Sequence, residues 1–193
     1  MYIDRIIYPI STLGPGNRLV IWTAGCTKHC NECANPELWD CYEYQNISVA
    51  DLIGYITRCI GNFDGITITG GDPCEQFNDL LQLVSQLKCI CSDIIVYTGY
   101  TFDELVQLNS YEKIELFKSS ITVLIDGRYI SEKNIDDLAL RGSSNQNLIF
   151  CNANETIIKC YEDYIKQGRS IQNIIYNNKI ISIGIHNKIN KER

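Results

Sequence analysis

The chain has 193 residues and a mass of 22.0 kDa, a length that suits one domain and is short for two domains of ordinary size. Its net charge of −6 and isoelectric point near 4.9 argue against a protein that coats nucleic acid or binds an anionic membrane surface. No apolar run approaches the roughly 18 residues of a membrane span. The first residues also lack the apolar stretch of a secretory signal. We therefore expect a cytoplasmic globular protein.

Short apolar runs and capping residues predict strands that alternate with helices. In chain order these are strand Leu19–Thr23, helix Val49–Ile60 with Ser48 as its cap and Gly61 as its stop, strand Ile66–Thr69, helix Leu80–Leu87, strand Ile94–Tyr97, helices Asp103–Leu108 and Lys113–Lys118, and strand Ile121–Ile125. This alternation favours a parallel sheet in an α/β fold. Ligands of such folds bind where the strands end, so loops 24–36, 70–76, 98–101 and 126–129 are the candidates.

The pattern changes after about residue 150. A possible fifth strand lies at Leu148–Phe150, and a helix is predicted from Glu155 to Gln167. Asn177-Asn178 then separates two apolar runs, 171–176 and 179–185, which is a β-hairpin signal. We interpret residues 1–193 as a single domain in which 151–193 is an appended helix and hairpin with no assigned role. The polar tail from residue 187 is expected to be frayed.

Ten cysteines are the first chemical signal. Five disulfides would be typical of a short secreted chain with little core, which this chain does not resemble. In a reducing compartment, clustered cysteines bind metal and scattered ones pack as small hydrophobes. The cysteines expected to pack are Cys59, Cys89, Cys91 and Cys160. Cys41 lies close enough in sequence to be considered as a ligand, but a fourth thiolate would close a cluster that needs an open iron.

The cluster itself is Cys26, Cys30 and Cys33, with C-x3-C-x2-C spacing in the loop after the first predicted strand. Three thiolates hold a 4Fe-4S cluster and leave one iron open to a small molecule, which is typical of clusters that cleave S-adenosylmethionine. Structural zinc is the alternative, because zinc takes four ligands and His29 could supply the fourth. Coincidental buried cysteines are the remaining interpretation.

Gly70-Gly71-Asp72-Pro73 follows the second predicted strand. Two glycines let the backbone approach a ligand closely, the strand end offers carbonyls to an ammonium group, and Asp72 adds a carboxylate. A plain turn between strand and helix explains the same residues. The cysteine loop one strand earlier favours the ligand-binding interpretation, under which a side chain at Gly71 should collide with the ligand.

Six motifs occur in an order and at a spacing that resemble one family. They are Gly14-Pro15-Gly16-Asn17-Arg18, Gly25-Cys26 with Cys30, Cys33 and Asn35-Pro36, Gly70-Gly71-Asp72-Pro73, Tyr97-Thr98-Gly99-Tyr100, Val123-Leu124-Ile125-Asp126-Gly127-Arg128, and Arg141-Gly142-Ser143-Ser144-Asn145-Gln146. Over about residues 8–150 the chain resembles the activating proteins of anaerobic ribonucleoside-triphosphate reductase, which are radical S-adenosylmethionine enzymes. Two departures are Glu32, where many such enzymes carry an aromatic residue, and Cys74, where an aliphatic residue is common.

The resemblance implies a partial, open (βα) barrel of the radical S-adenosylmethionine type. Cys26, Cys30 and Cys33 would bind the 4Fe-4S cluster, and no catalytic side chain is implied beyond the cluster and cofactor. Residues implied to contact S-adenosylmethionine are Glu32, Cys33, Ala34, Gly70, Gly71 and Asp72. The implied partners are a large anaerobic ribonucleotide reductase, on which a glycyl radical is formed, and a small reduced flavoprotein that donates the electron.

One residue and two segments outside the cysteine cluster can be explained by a structural role. Arg18 is more readily structural than catalytic. The segments Asp126–Arg128 and Arg141–Gln146 either contact the cofactor or partner or form structural turns. Other functions compatible with the cluster are a pyruvate formate-lyase-type activase and a small-molecule enzyme such as the deazapurine ring-contracting synthase, while structural zinc would indicate an interaction module. A nucleotide substrate is disfavoured because the chain has no Walker-type phosphate loop.

Overall fold

The computed structural model describes residues 1–59, 63–136 and 138–187. Its strands are β1 (Tyr2–Ile10), β2 (Arg18–Thr23), β3 (Gln45–Asn46), β4 (Gly65–Gly70), β5 (Ile94–Tyr97), β6 (Val123–Asp126), β7 (Asn147–Phe150), β8 (Ile171–Tyr176) and β9 (Lys179–Gly184). Its helices are α1 (Val49–Cys59), α2 (Phe77–Leu87), α3 (Phe102–Leu108), α4 (Tyr111–Ser120) and α5 (Glu155–Ile165). Single 3-10 turns occur at Pro36–Leu38, Pro73–Gln76 and Ser131–Lys133. No helix in these ranges is both long and apolar enough to cross a membrane.

Seven strands form one open sheet in the order β3-β1-β2-β4-β5-β6-β7. The central strands β2, β4, β5 and β6 are parallel, whereas β1 runs antiparallel to β2 and β7 runs antiparallel to β6. The edges are β3 and β7, so the sheet does not close on itself. The remaining strands, β8 and β9, form a separate antiparallel hairpin. A mixed α/β fold with a mostly parallel sheet and a C-terminal hairpin is therefore confirmed.

The two faces of the sheet are covered by different parts of the chain. Because strand side chains alternate, Ile21 and Ile68 pack with the helices α1, α2 and α4 on one face. Trp22 on the opposite face packs with Ile183 of β9. Farther along that face, Ile125 packs with Tyr161 of α5. The helix and hairpin after residue 150 therefore cover the face that the other helices leave open.

Arg18 is fully buried where β2 begins, and its role there is structural, as expected. Its guanidinium donates hydrogen bonds of 2.7 Å to the Thr67 hydroxyl and to Oδ2 of Asp93. Tyr161 donates to the other oxygen of Asp93 at 2.6 Å. A Cβ added at Gly65 would lie 2.2 Å from the Arg18 guanidinium, so the glycine makes room for it. A buried ion pair is stable only when its remaining polar atoms are bonded in this way.

Most predicted elements are present with shifted ends. The fifth strand is β7, the predicted hairpin is β8–β9, and the fourth strand begins at Val123. Strands β1 and β3 are missing from the sequence prediction. In β1, Asp4 and Arg5 interrupt the apolar run, so no clear period-two pattern remains. Ile60, Gly61 and residues 188–193 lie outside the described residues, so the predicted stop of α1 and the frayed tail are not tested.

The cysteines expected to pack divide into two groups. Cys91 is buried, as expected, but Cys89 and Cys160 are exposed, so the packing prediction is wrong for both. Cys89 follows the last turn of α2, and Cys160 lies on the outer side of α5, where neither reaches the core. The side chain of Cys59 lies outside the described residues. The other nine cysteines are free thiols, so they form no disulfides among the residues the structure describes.

Candidate functional site

A cavity of about 620 Å³ lies at the carboxyl ends of the parallel strands. Every residue expected to bind the cluster or the cofactor lines it: Cys26, Cys30, Glu32, Cys33, Ala34, Gly70, Gly71 and Asp72. Cys41 is also described but is not part of this lining; it lies beside Gly25, with its Sγ 3.9 Å from where a Gly25 Cβ would stand. The structure therefore brings the predicted site residues to one place.

The cysteine loop turns sharply through residues with positive φ. Gly25 has a φ of 99°. His29 and Glu32 have φ values of 44° and 56°, which are uncommon for residues other than glycine. The amide of Cys33 donates to the carbonyl of Cys30 at 3.2 Å, which closes the last turn. The imidazole of His29 stacks on Trp39 with 4.6 Å between ring centroids. This stacking gives His29 a packing role in the loop.

The three cysteine side chains line the same cavity, but they are not close enough together to bind one metal ion. Within the described ranges, no group of three or more His, Cys, Asp or Glu side chains is close enough to hold a metal ion. Burial raises the pKa of the Cys26 thiol, despite hydrogen bonds from the backbone at Lys28 and His29. Three free thiols are the donor set of an iron–sulfur cluster, so the residues fit that group by chemistry. A cluster held by these three thiols would require the loop to draw them together, which would couple binding to local ordering.

Side chains from three neighbouring loops fasten the cysteine loop. The Lys28 ammonium lies 3.1 Å from the centroid of the Tyr100 ring and 3.7 Å from Oε1 of Glu75. The Thr27 hydroxyl donates to the same Glu75 oxygen at 2.5 Å. From beyond β6, the Arg128 guanidinium donates to the carbonyl of Lys28. Sequence reasoning missed the roles of Lys28 and Glu75, because each depends on a contact with a distant loop.

Asp72 joins the ends of β4 and β5. Its side chain is almost fully buried, and Oδ1 accepts from the Thr98 hydroxyl at 2.8 Å and from the Cys74 amide at 3.0 Å. Oδ2 accepts from the Gly99 amide at 2.9 Å. Burial raises the pKa of Asp72 to about 6, although these hydrogen bonds and Lys28 act in the opposite direction. Both oxygens thus serve the protein itself, and a contact with the cofactor stays a prediction.

The two glycines of this loop are required by the neighbouring backbone. A Cβ at Gly71 would lie 2.5 Å from the carbonyl oxygen of Gly25 and 2.9 Å from that of Leu38. At Gly70, φ is 117° and a Cβ would lie 2.3 Å from the Thr23 carbonyl oxygen. A Gly71 side chain would meet the chain that leads into the cysteine loop, and its expected collision with the ligand stays a prediction. The glycines let β4 press against that chain.

The segments 126–128 and 141–146 hold one another. The Gln146 amide donates to the carbonyl of Gly127 at 2.9 Å, and the Asn145 amide donates to the carbonyl of Arg128 at 2.8 Å. Asp126 is buried and accepts from the Asn147 amide group at 2.8 Å. The two segments form a structural turn, and both also reach the cavity, since Gly127 and Gln146 line it.

The C-terminal hairpin supplies the part of the cavity wall that the sequence did not indicate. Residues Ile181 to Asn187 line the cavity without a gap. Four of these seven residues are isoleucine or glycine, and no spacing motif links the stretch to the cysteines about 150 residues earlier. Its position could be found only from the folded chain.

The comparisons with known proteins agree with this geometry. A family model described as a 4Fe-4S single cluster domain matches residues 12–149. The chain is 33% identical over 147 residues to a protein of Escherichia coli K12, and the aligned region covers 72% of this chain and 92% of that protein. It is 35% identical over 157 residues to one of phage T4, covering 77% and 93%, and 34% identical over 151 residues to one of Vibrio cholerae, covering 72% and 92%. All three are named anaerobic ribonucleoside-triphosphate reductase-activating protein, and the chain belongs to this family of 4Fe-4S activating proteins.

Proposed function

We propose that this chain is a radical S-adenosylmethionine enzyme that forms a glycyl radical on an anaerobic ribonucleoside-triphosphate reductase. The observation that carries the proposal is the shared cavity, in which three free cysteines and a glycine-rich strand end meet at the carboxyl ends of parallel strands. Bound cluster and cofactor supply a one-electron cleavage of S-adenosylmethionine to methionine and a 5′-deoxyadenosyl radical, which takes a hydrogen atom from a glycine Cα.

The residues of this chain divide the work of binding. Cys26, Cys30 and Cys33 would hold the cluster, and Cys41, which lies outside the cavity lining, would not add a fourth thiolate. Backbone groups at 32–34 and 70–72 border the cofactor, and Lys28 keeps the loop against Tyr100 and Glu75. In this proposal the open sheet with its helices acts as the partial, open barrel that is expected of this enzyme class. An open side lets a segment of a protein substrate reach the cofactor.

A protein substrate suits this cavity better than a nucleotide does. At about 620 Å³ it has the size of a small-molecule site, so it accommodates the cofactor and a narrow segment but no folded domain. Glycine is the residue with the narrowest backbone, because its Cα carries no side chain. Net charge of −6 gives no general attraction for a polyphosphate. The electron donor in this proposal is a small reduced flavoprotein, and free thiols suit the reducing cytoplasm.

The test is anaerobic reconstitution followed by incubation with reductant, S-adenosylmethionine and the large reductase. We expect a brown protein with about four irons, and a glycyl-radical signal by electron paramagnetic resonance that requires both proteins. Cys30→Ala should lose iron and signal, whereas the matched control Cys41→Ser should keep both. A colourless zinc protein, or conversion of a nucleotide without any effect of the reductase, would contradict the proposal.

A further inference from the structure

The hairpin β8–β9 lies outside residues 12–149, to which the family model extends. It forms its own two-stranded sheet, so each strand has one outer edge without a strand partner in the described part of the chain. Unpaired strand edges present rows of N–H and C=O groups that readily pair with another extended segment. The hairpin therefore offers a backbone binding surface that the activity described so far does not use.

Several contacts hold this hairpin firmly in place. The Thr12 hydroxyl donates to the carbonyl of Ile183 at 3.0 Å, and the Gln172 amide donates to the carbonyl of Pro9 at 2.9 Å. Arg169, just before β8, donates to the carbonyl of His186 at 2.8 Å and to that of Gly142 at 3.3 Å. A partner that binds here meets a preformed edge and pays little ordering entropy.

The edge that borders the cavity belongs to β9. Side chains of a strand alternate between two faces, so a strand that presents a face to a cavity contributes every second residue. Here the consecutive residues Ile181 to Gly184 all line it, and among the described residues none of β8 does. The side of β9 that points away from β8 therefore borders the cavity.

The turn fixes which amides point outward along this edge. Asn177 and Asn178 have φ of 48° and 60°, as in the two-residue type I′ turn, whose flanking pair Tyr176 and Lys179 is hydrogen-bonded. Bonded and non-bonded pairs alternate in an antiparallel ladder. Ser182, opposite Asn173, is three pairs from the turn and falls in a non-bonded pair. Its N–H and C=O groups therefore point outward, as does the N–H of Gly184.

We propose that the outer edge of β9 binds the reductase segment that carries the target glycine, by adding this segment as an extended strand. The inference rests on the proposed function and specifies how its protein substrate is recognised. A glycine offers no side chain to grip, so its neighbourhood is best recognised through backbone hydrogen bonds. Ser182 and Gly184 provide these groups inside the cavity that holds the cysteines.

An apolar pair lies on one face of the hairpin tip, outside the cavity lining. Ile175 and Ile180 are cross-strand neighbours at the hairpin tip and are 80% and 77% exposed. Large apolar side chains exposed together mark a contact surface for a partner. They would pack with apolar residues that flank the glycine segment, outside the narrow part of the cavity.

Hydrogen exchange of backbone amides tests the proposal in the complete protein. In the free activase, the amides of Ser182 and Gly184 should exchange quickly, while those of the bonded pairs exchange slowly. Adding the purified reductase should slow exchange at Ser182 and Gly184 at least tenfold and leave Asn173 unchanged. A complex that forms without protection on β9 would overturn the proposal, and protection of Asn173 instead would place the partner on the wrong edge.

A matched pair of proline variants gives the second readout. Ser182→Pro removes one outward N–H from the β9 edge, and Asn173→Pro removes its counterpart from the far edge of β8 in the same cross-strand pair. Both variants should keep their circular dichroism. Ser182→Pro should weaken reductase binding at least tenfold, and Asn173→Pro should leave the affinity unchanged. Equal affinities for the two variants would overturn the proposal.

The outcomes separate this inference from the proposed function. If the wild-type pair forms no glycyl radical, the proposed function fails, whatever the exchange data show. If the radical forms and Ser182→Pro binds the reductase normally, only the β9 docking edge fails. Sedimentation of the activase alone checks the remaining occupant, a second copy of this chain. Self-association that Ser182→Pro abolishes would assign the edge to a dimer and overturn the proposal.

Discussion

The two ends of the parallel strands are built in opposite ways. At the amino ends of β2 and β4, the Arg18 side chain is fully buried among hydrogen-bonding partners from three segments of the chain. At the carboxyl ends, the same strands open into a cavity of about 620 Å³ with free thiols in its wall. The contrast indicates that stability is concentrated at one end and chemistry at the other. Substitutions at the two ends should therefore affect different measurements.

The largest loss of stability is expected at the amino ends. Arg18→Leu would leave the Asp93 carboxylate without its ion pair, and breaking a buried pair costs about 3–5 kcal/mol. Denaturant unfolding of the iron-free protein should show this loss. The double variant Arg18→Leu with Asp93→Asn should recover part of it, since no buried charge remains unpaired. A loss below about 1 kcal/mol for Arg18→Leu would show that the amino ends are not the stable part.

Gly71→Val tests the junction of the two regions. A side chain there overlaps the carbonyl oxygens of Gly25 and Leu38, so both the unfolding free energy and the iron content should fall, the former by roughly 2–3 kcal/mol. Gly54→Val is the matched control outside the cavity lining, because a Cβ at Gly54 would meet the end of the flexible Arg58 side chain at 3.3 Å. A Gly71→Val variant with normal stability and iron content but weak cofactor binding would show that the side chain meets the cofactor and not the backbone.

A smaller effect is expected from the hydroxyl group that supports the buried ion pair. Tyr161→Phe removes a 2.6 Å hydrogen bond to Asp93 and should cost about 1.5 kcal/mol of unfolding free energy. Tyr164→Phe, on the same helix, removes an exposed bond to the carbonyl of Ser11 and a long, 3.4 Å bond from the Gly14 amide, and should cost less. An equal loss of unfolding free energy in both variants would mean that the hydrogen bond to Asp93 stabilises the protein no more than the exposed one does.

The smallest change in stability is expected at the carboxyl ends. Lys28→Met removes the contacts with Tyr100 and Glu75, which are partly exposed, so the unfolding free energy should change by less than about 1 kcal/mol. The cysteine loop loses a fastening, so iron release to a chelator should become several-fold faster. Lys113→Met, at an exposed lysine of α4, is the control that should release iron at the wild-type rate. An unchanged rate of iron release from Lys28→Met would show that the Lys28 contacts do not help to retain the cluster.

The same division explains what could be predicted from the sequence. Local patterns reveal the apolar strands and the cysteines 26, 30 and 33. Because ligands of such folds bind at strand ends, these patterns were enough to predict that the cysteines lie in a site at that edge of the sheet. Gly71 was singled out for a cofactor contact that stays a prediction, and its backbone contacts were missed because a sequence does not show which backbone will lie beside it. The glycine is needed by Gly25 and Leu38, both far from it along the chain.

The rest depends on contacts across the whole chain. Arg128 reaches the carbonyl of Lys28 across 100 positions, and Thr12 binds the carbonyl of Ile183 across 171. No local pattern encodes such pairs. For the same reason the hairpin was predicted as an element but not as a wall of the cavity. Strand β1 was missed because its pairing with β2, not its own pattern, makes it a strand.

Transfer of deuterium from the reductase to the cofactor product tests the central claim most directly. The reductase is prepared with glycine deuterated at Cα and is incubated anaerobically with the activase, reductant and S-adenosylmethionine. We predict 5′-deoxyadenosine that carries one deuterium by mass spectrometry, and no such product with Cys30→Ala. Release of 5′-deoxyadenosine without deuterium, from a mixture in which both proteins are intact and the cluster is loaded, would contradict hydrogen abstraction from a glycine of the reductase.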